Sequence, residues 1–473
     1  MADATIVLLT LVLYKITLLG IGIWAKSKNR SSSDFFLASR ELGPWTAALS
    51  ACASSSSAWT LLGISGAAYI WGLSAIWLLP SVIVGFLINW LWVAPRIAHL
   101  SRKEKALTLT DLMIAEPYGK HCDTIRHVAI FIIVFSFTFY IGAQFKAAGA
   151  SFHSALNINF TLAVILGAFI IMLYTFMGGF WAVSITDTLQ GLLMCLTAII
   201  LPTAAIMHIG GIEPLINSLL YHNAGAPTGI TGHHTGIAAL GFIVGLLGIG
   251  IGYPGQPHVV TRLMALRNKQ SLEQGRVIAI TWALVVYSGM LLLGWSAKMF
   301  VPNLIDGETV FLVSANQLFS PVISGIMIAA VLSAVMSTAD SQILVVSSAL
   351  SYDSYHTIDR QKHSLVLSRM TVLAVCFFAA LLALFLDQSI FDRVLFAWHA
   401  VGSSFGPPLI IRLMGRQISN RYVLMSMLSG FLLTVIFHNL PELPGDLAER
   451  WIPFLSALTI AYFGSFKMYR KTL

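Results

Sequence analysis

Charge is what this sequence most conspicuously lacks. Only 10% of its 473 residues are Asp, Glu, Lys or Arg, against about 25% in soluble globular domains, which excludes a soluble enzyme. Cysteine is also sparse. Cys52, Cys122, Cys195 and Cys376 form no C-x-x-C pair and no metal-ligand spacing, so they read as packing residues. No G-x-x-x-x-G-K-[ST] phosphate loop occurs, so no ATPase partner is implied, and an ion gradient or no energy source remains. No nucleophile and base pair stands out either, which makes a membrane enzyme the poorest fit. A cleavable signal peptide is not evident, because the first apolar run leads straight into a basic loop. The net charge of +8 would suit nucleic acid only if the basic residues clustered on a folded face; they sit in short loops instead.

Apolar residues make up 57% of the chain and its mean hydropathy is +0.81. They fall into runs of about 20, the length a helix needs to cross a hydrocarbon core. Breaking the runs at charge and turn clusters predicts about thirteen spans, near 4–25, 44–70, 74–95, 127–153, 158–178, 184–208, 236–261, 277–300, 318–350, 367–386, 389–411, 420–438 and 451–467. This is an all-α polytopic membrane protein, with the lipid bilayer as its surroundings. The longest polar connections, around 209–235 and 351–366, are too short to build a soluble domain.

Basic residues test the count, because Lys and Arg collect in cytoplasmic loops. Alternate loops hold Lys26, Lys28, Arg30 and Arg40; Arg96, Arg102, Lys103, Lys105, Lys120 and Arg126; Arg262, Arg267, Lys269 and Arg276; Arg360, Lys362 and Arg369; Arg412, Arg416 and Arg421; and Lys467, Arg470 and Lys471. Only Lys298, Arg393 and Arg450 fall on the other face, and Lys15 and Lys146 lie within spans. The pattern places the N-terminus outside and the C-terminus in the cytoplasm of a plasma-membrane protein, in the inner membrane if the source is a bacterium.

Two spans carry signals for broken helices. The second contains Ser54-Ser55-Ser56-Ser57, and the seventh reads GLLGIGIGYPGQP over 245–257. Non-helical backbone at membrane depth must be buried in protein or line a cavity, where freed carbonyls can coordinate a cation. The two spans open consecutive groups of five, as inverted repeats meeting at a central site would. The competing reading is close helix packing through small residues.

Of the 20 acidic residues, only Asp187 and Asp340 fall clearly inside spans. A carboxylate at such depth is costly unless a cation or proton offsets it. Ser337, Asp340 and Ser341 share one helix face at i, i+3 and i+4, with Thr338 adjacent, and offer hard oxygens to a small cation. Snorkelling of Asp187 and hydroxyls bonded back to their own helix are the structural alternatives.

Several blocks in order, ELGPWTAALSACASSSSAW (41–59), LYTFMGGFWAVSITDTLQ (173–190), GYPGQPHVVTRLMA (252–265), LSAVMSTADSQILVVSSAL (332–350) and FGPP (405–408), resemble the sodium:solute symporter family almost end to end. The resemblance implies thirteen spans, leucine-transporter-type inverted repeats, and Na+ as coupling ion. It implies a sodium site made by the carbonyls of Ala53, Ser56 and Ala334 with the hydroxyls of Ser337 and Thr338. A second cation or proton site, present in some members, would fall on Asp187, Ser337, Asp340 and Ser341. Substrate contacts would come from Ser57, Ala58, Tyr140, Tyr253, Gln256 and Pro257, to which Trp59 is added as an aromatic wall with a polar tip. Proline-transporting members carry Asp, Gly and Trp where this chain has Ser55, Ala58 and Ile249, which points to a reshaped pocket.

Lys146 lies about six positions, roughly 9 Å at helical rise, from Tyr140, and His399 follows Trp398. Either could gate the path or meet a substrate carboxylate; the bland alternatives are snorkelling of Lys146 and a backbone-bonded His399. Lys15 reads as snorkelling. The expected organisation is a peripheral helix and loop (1–43), a first repeat (44–209), a second repeat (235–412) and two C-terminal helices (413–473). The expected function is sodium-coupled uptake of a small organic solute, an amino acid or related carboxylate, by alternating access. A proton-coupled carrier is one alternative. A transporter-like nutrient sensor is another, although no signalling domain precedes Leu473.

Overall fold

The computed structural model describes residues 2–26, 37–114, 119–175, 180–221, 229–354, 361–386, 389–441 and 443–467. Lys28, Arg30, Arg360, Arg470, Lys471 and residues 176–179 lie outside them, as do the side chains of Lys15, Lys26, Lys362, Arg369 and Lys467.

Among the described residues each predicted span falls mainly on helix. The first is α1 (Ala2–Lys26). The second is α2 (Pro44–Ser55) and, past a break and a π turn, α3 (Ile64–Trp71). The third is α4 (Leu78–Leu87), joined through a second π turn to α5 (Ala94–Lys103). A short α6 (Leu109–Met113) precedes α7 (Cys122–Leu156), α8 (Phe160–Thr175) and α9 (Phe180–His208). After α10 (Ile212–Tyr221), the seventh span runs through α11 (Gly236–Leu247), a 3-10 stretch (Gly248–Gly255) and α12 (Pro257–Met264). The remainder is α13 (Lys269–Phe300), α14 (Val310–Leu318), α15 (Pro321–Ser348), α16 (Gln361–Phe385), α17 (Ile390–Leu413), α18 (Asn420–His438) and α19 (Leu447–Phe463). Two short strands, β1 (Arg416–Ile418) and β2 (Ser465–Lys467), pair antiparallel beside the last helices. Among the described residues eight uninterrupted runs are long and apolar enough to cross a membrane. That is fewer than the predicted spans, because the Trp59–Lys103 run joins parts of the second and third, and the first, fifth, tenth and thirteenth appear among the described residues as shorter helical stretches (Thr5–Leu18, Phe160–Met172, Val372–Phe385 and Leu447–Phe463).

The breaks have local causes. In the second span, Ser55 donates its hydroxyl to the Cys52 carbonyl at 3.1 Å, the competition with backbone that makes serine a poor helix-interior residue. The helix ends at Ser56, with φ −111° and ψ 69°. In the seventh span, Pro257 disfavours helical backbone in the residue before it, and Gln256 is extended at φ −84°, ψ 107°. Proline then starts α12, where its missing N–H costs nothing.

Burial grades outward from two helices. In α17 the most apolar window is 94% buried and in the run holding α15 it is 83% buried, against 33% in α18. The glycines of the seventh span serve close packing as well as the break, because a Cβ on Gly252 would meet the Trp398 indole nitrogen at 2.5 Å, and one on Gly402 would meet the Gly252 Cα at 2.7 Å. The basic loops meet at one end of the bundle: Arg40 donates to the Met264 carbonyl at 3.1 Å, Arg102 to that of Arg267 at 2.9 Å, and Arg412 pairs with Glu104 at 2.7 Å.

Candidate functional site

The break after α2 faces the middle of α15. Ser337 donates its hydroxyl to the Ala53 carbonyl at 3.0 Å and lies 3.2 Å from that of Ala334. Thr338 donates to the Ser54 carbonyl at 3.0 Å and lies 3.4 Å from that of Ala53. All of these residues are buried. A hydroxyl keeps acceptor lone pairs beside the proton it donates, so these oxygens can turn toward a cation in exchange for the bonds they make. Ser56 sits at the same break, with its hydroxyl 3.0 Å from that of Tyr287.

Toward the basic end lies a charged cluster that sequence patterning does not reveal. Arg262 of α12, which the charge pattern places in a basic loop, is 1% exposed. Its Nη2 is 3.1 Å from the Asp187 carboxylate. The same nitrogen donates to the Ser341 hydroxyl at 2.5 Å, Nε donates to Ser50 at 3.1 Å, and Nη1 donates to the His258 carbonyl at 2.6 Å. Ser50 and Ser54 donate in turn to Asp187 at 2.8 and 3.2 Å. Asp187 and Ser341 are thus brought together. Asp340, also buried, stands within electrostatic reach of Tyr14 on α1 and Cys376 on α16.

Between the two breaks the walls are aromatic. Tyr253 stacks edge-on with Trp398 at 4.7 Å and tilts against Phe86 at 5.2 Å, while Trp59 lies 6.2 Å from Tyr287. The Tyr140 hydroxyl donates to Ser57 at 3.3 Å, and the Ala58 N–H donates to Gln144 Oε1 at 3.1 Å. Gln256 donates to the carbonyl of Trp398 at 2.8 Å, and Pro257 is buried behind it. Among the buried polar atoms here that lack a hydrogen-bond partner among the described residues are Trp59 Nε1, Gln144 Nε2 and Gln256 Oε1. Two unpartnered donors and one unpartnered acceptor in a buried aromatic region are groups that a small zwitterion can satisfy.

The remaining candidates sit apart. Lys146 lines a cavity of about 430 Å³ at the end opposite the basic loops, together with Glu308, Asp306 and His153. Glu308 accepts the N–H groups of Ile390 and Phe391 at 2.9 and 2.7 Å, capping α17. Burial is the main reason its carboxyl is pushed up to about 7, with Asp306 adding to the rise and the two N–H bonds and Lys146 opposing it. His399 is 1% exposed, its ring nitrogens have no hydrogen-bond partner among the described residues, and its charged neighbour is Arg450 of α19.

Residues 35–430 match the sodium:solute symporter family. The chain belongs to that family. The symporter is 33% identical over 433 residues to the osmoregulated proline transporter OpuE of Bacillus subtilis (strain 168), a match covering 90% of this chain and 87% of that one. It is 34% identical over 439 residues to the sodium/proline symporter of Staphylococcus aureus (strain JH9), covering 90% and 84%. Among solved structures it superposes on a Na+-coupled sialic acid symporter in a substrate-bound outward-open state, with TM-score 0.76, 15% identity and coverage of 98% and 99%. It also superposes on Mhp1, a nucleobase-cation-symport-1 family transporter, in a closed conformation with bromovinylhydantoin bound, with TM-score 0.54, 11% identity and coverage of 92% and 95%. The symporter therefore has the leucine-transporter-type fold, spans the membrane many times, and couples solute uptake to sodium.

Sequence reasoning singled out neither Arg262 nor Tyr287, Gln144 and Glu308. For Arg262 one signal was available, since it falls only five residues after Pro257 on a helix the proline itself starts.

Proposed function

We propose that the symporter imports an amino acid or related carboxylate, chemically unchanged, with sodium seated between the carbonyls of Ala53, Ser56 and Ala334 and the hydroxyls of Ser337 and Thr338. The observation that carries this reading is the pairing of the α2 break with the Ser337 and Thr338 hydroxyls. It sets an oxygen-rich corner, suited to a hard cation, beside an aromatic pocket with unpartnered polar atoms. The solute lies among Ser57, Ala58, Trp59, Tyr140, Tyr253, Gln256 and Pro257. Its carboxylate meets donors such as Trp59 Nε1 and Gln144 Nε2, and its ammonium meets Gln256 Oε1. The names of the relatives, proline transporters at 33% and 34% identity, support an amino acid. Ser55, Ala58 and Ile249 favour a side chain other than the proline ring.

Residues 44–209 and 235–412 act as the two repeats, each opened by a broken helix, with 1–43 and 413–473 peripheral. The basic end faces the cytoplasm, with the N-terminus outside and the C-terminus inside, and the solute crosses as one bundle rocks against the other.

The test is uptake into proteoliposomes under an inward sodium gradient, with labelled proline as probe and a panel of amino acids, carboxylates and sugars as competitors. Amino acids or carboxylates should compete, and uptake should vanish when sodium is replaced at constant pH. Competition by sugars alone would remove the carboxylate reading, and proline outcompeting every other compound would remove the altered pocket.

A further inference from the structure

His258, the second residue of α12, is fully buried. Three aromatic rings enclose its imidazole edge-on: Phe137 at 5.4 Å between centroids, and Tyr140 and Trp398 at 6.4 Å each. Tyr140 and Trp398 also wall the solute pocket, so the imidazole borders that pocket at the end nearer Arg262, which donates to the His258 carbonyl at 2.6 Å. Neither Nδ1 nor Nε2 has a hydrogen-bond partner among the described residues. Phenylalanine would fill such a box without leaving two polar atoms unpaired, so packing alone does not account for a histidine here.

A neutral imidazole has one N–H donor and one acceptor lone pair. The Ser54 backbone lies beside the ring, and its carbonyl, which accepts from Thr338 at 3.0 Å, has a second lone pair for that donor. The other ring nitrogen then remains as an acceptor. Two residues earlier, Gln256 Oε1 is another unpartnered acceptor. The unpartnered donors lie elsewhere: Trp59 Nε1 past the α2 break, and Gln144 Nε2 four residues beyond Tyr140, about 6 Å farther along α7. The pocket thus offers acceptors at the start of α12 and donors at a distance from it. An α-amino carboxylate has its charges in that order, and its ammonium carries several N–H donors, more than one amide oxygen can pair. A carboxylate without the amine would leave both acceptors at the start of α12 unsatisfied.

We propose that His258 accepts a hydrogen bond from the solute's ammonium and makes the symporter selective for amino acids over carboxylates that lack the amine. The inference rests on the reading that the solute is an amino acid or related carboxylate, and narrows it to the first. His258 acts beside Gln256 as a specificity-determining residue. Its own donor, held by Ser54 at the α2 break, fixes which nitrogen accepts.

Thermal stabilisation of the purified full-length protein in sodium reads the affinity of each unlabelled compound. The probes are pairs that differ only at the amine: L-proline with cyclopentanecarboxylate, L-alanine with propionate, and L-valine with 3-methylbutanoate. In the wild type the amino acid that stabilises most should bind about tenfold or more tighter than its partner. His258→Phe, which keeps an aromatic ring and removes both nitrogens, should cut that ratio about fivefold or more by weakening the amino acid and not its partner. His258→Gln, which keeps an acceptor, should retain more of the ratio than His258→Phe. Equal affinities within the wild-type pairs would overturn the proposal and leave the carboxylate reading standing. Stabilisation by sugars and by no member of any pair would overturn that reading as well. A His258→Phe protein that keeps the wild-type ratio, or weakens both members equally, would reduce His258 to a packing residue. Should that variant fail to fold, the ratios in His258→Leu and in the wild type decide.

Discussion

Trp398 donates its indole N–H to the carbonyl of Ile249 at 3.1 Å, tying α17 to the 3-10 stretch of the seventh span. The same ring packs on Tyr253 and against Gly252, so one side chain supports the break and backs the pocket wall. Trp398→Phe keeps an aromatic ring but removes the donor and with it the bond to the Ile249 carbonyl. The expected cost is about 0.5–1.5 kcal/mol, read as a lowered apparent melting temperature of the purified protein. Sodium binding should be retained, and an unchanged melting temperature would show that the bond contributes nothing.

The hydroxyls of Ser337 and Thr338 are expected to carry sodium affinity. Replacing both, Ser337→Ala with Thr338→Val, removes two oxygen ligands with little change in volume. At about 1.4 kcal/mol per tenfold, and about 1–3 kcal/mol for each polar partner removed, the sodium concentration for half-maximal uptake should rise at least tenfold. Unaltered sodium dependence would place the ion elsewhere.

Glu308 should make stability depend on pH. Its carboxyl titrates near 7 in the folded chain, against an ordinary value of 4.5. Between those values the folded protein holds a proton that the unfolded chain has released. Its stabilising contribution is therefore fully present below about pH 4.5 and is lost as pH rises through about 7. Glu308→Gln removes the titration, so the fall in apparent melting temperature between pH 5 and pH 7.5 should be shallower in the variant. Parallel slopes would exclude Glu308 as the source.

Gly252 should tolerate no side chain. A Cβ there meets the Trp398 indole at 2.5 and 2.8 Å, and the ring is held by its bond to Ile249. Gly252→Val should therefore force overpacking costing about 1–3 kcal/mol. Gly20→Ala, with nothing within 4 Å of the added carbon, is the control, expected to melt within a degree or two of wild type. A Gly252→Val protein as stable as this control would mean that the seventh span can yield.

What the sequence determined by itself is the part of the structure with a local cause. A run of about 20 apolar residues must become helix in lipid, because no water is there to satisfy its backbone, so the spans were legible from composition and spacing. The two breaks were legible because serine hydroxyls and Pro257 act on their own neighbours, and the candidate face of Ser337, Asp340 and Ser341, with Thr338 adjacent, followed from helical periodicity. Only the tertiary structure decided what each of those faces meets. Asp187 and Arg262 are 75 positions apart, and local pattern read the first as a charge awaiting an ion and the second as a loop residue marking the cytoplasm. Packing α12 against α2, α9 and α15 turned the two into one buried pair. Trp398 likewise finds Ile249 across 149 positions. Such pairings arise from the close approach of helices remote in the chain, and neither hydrophobic periodicity nor residue propensity encodes which remote partner will be there.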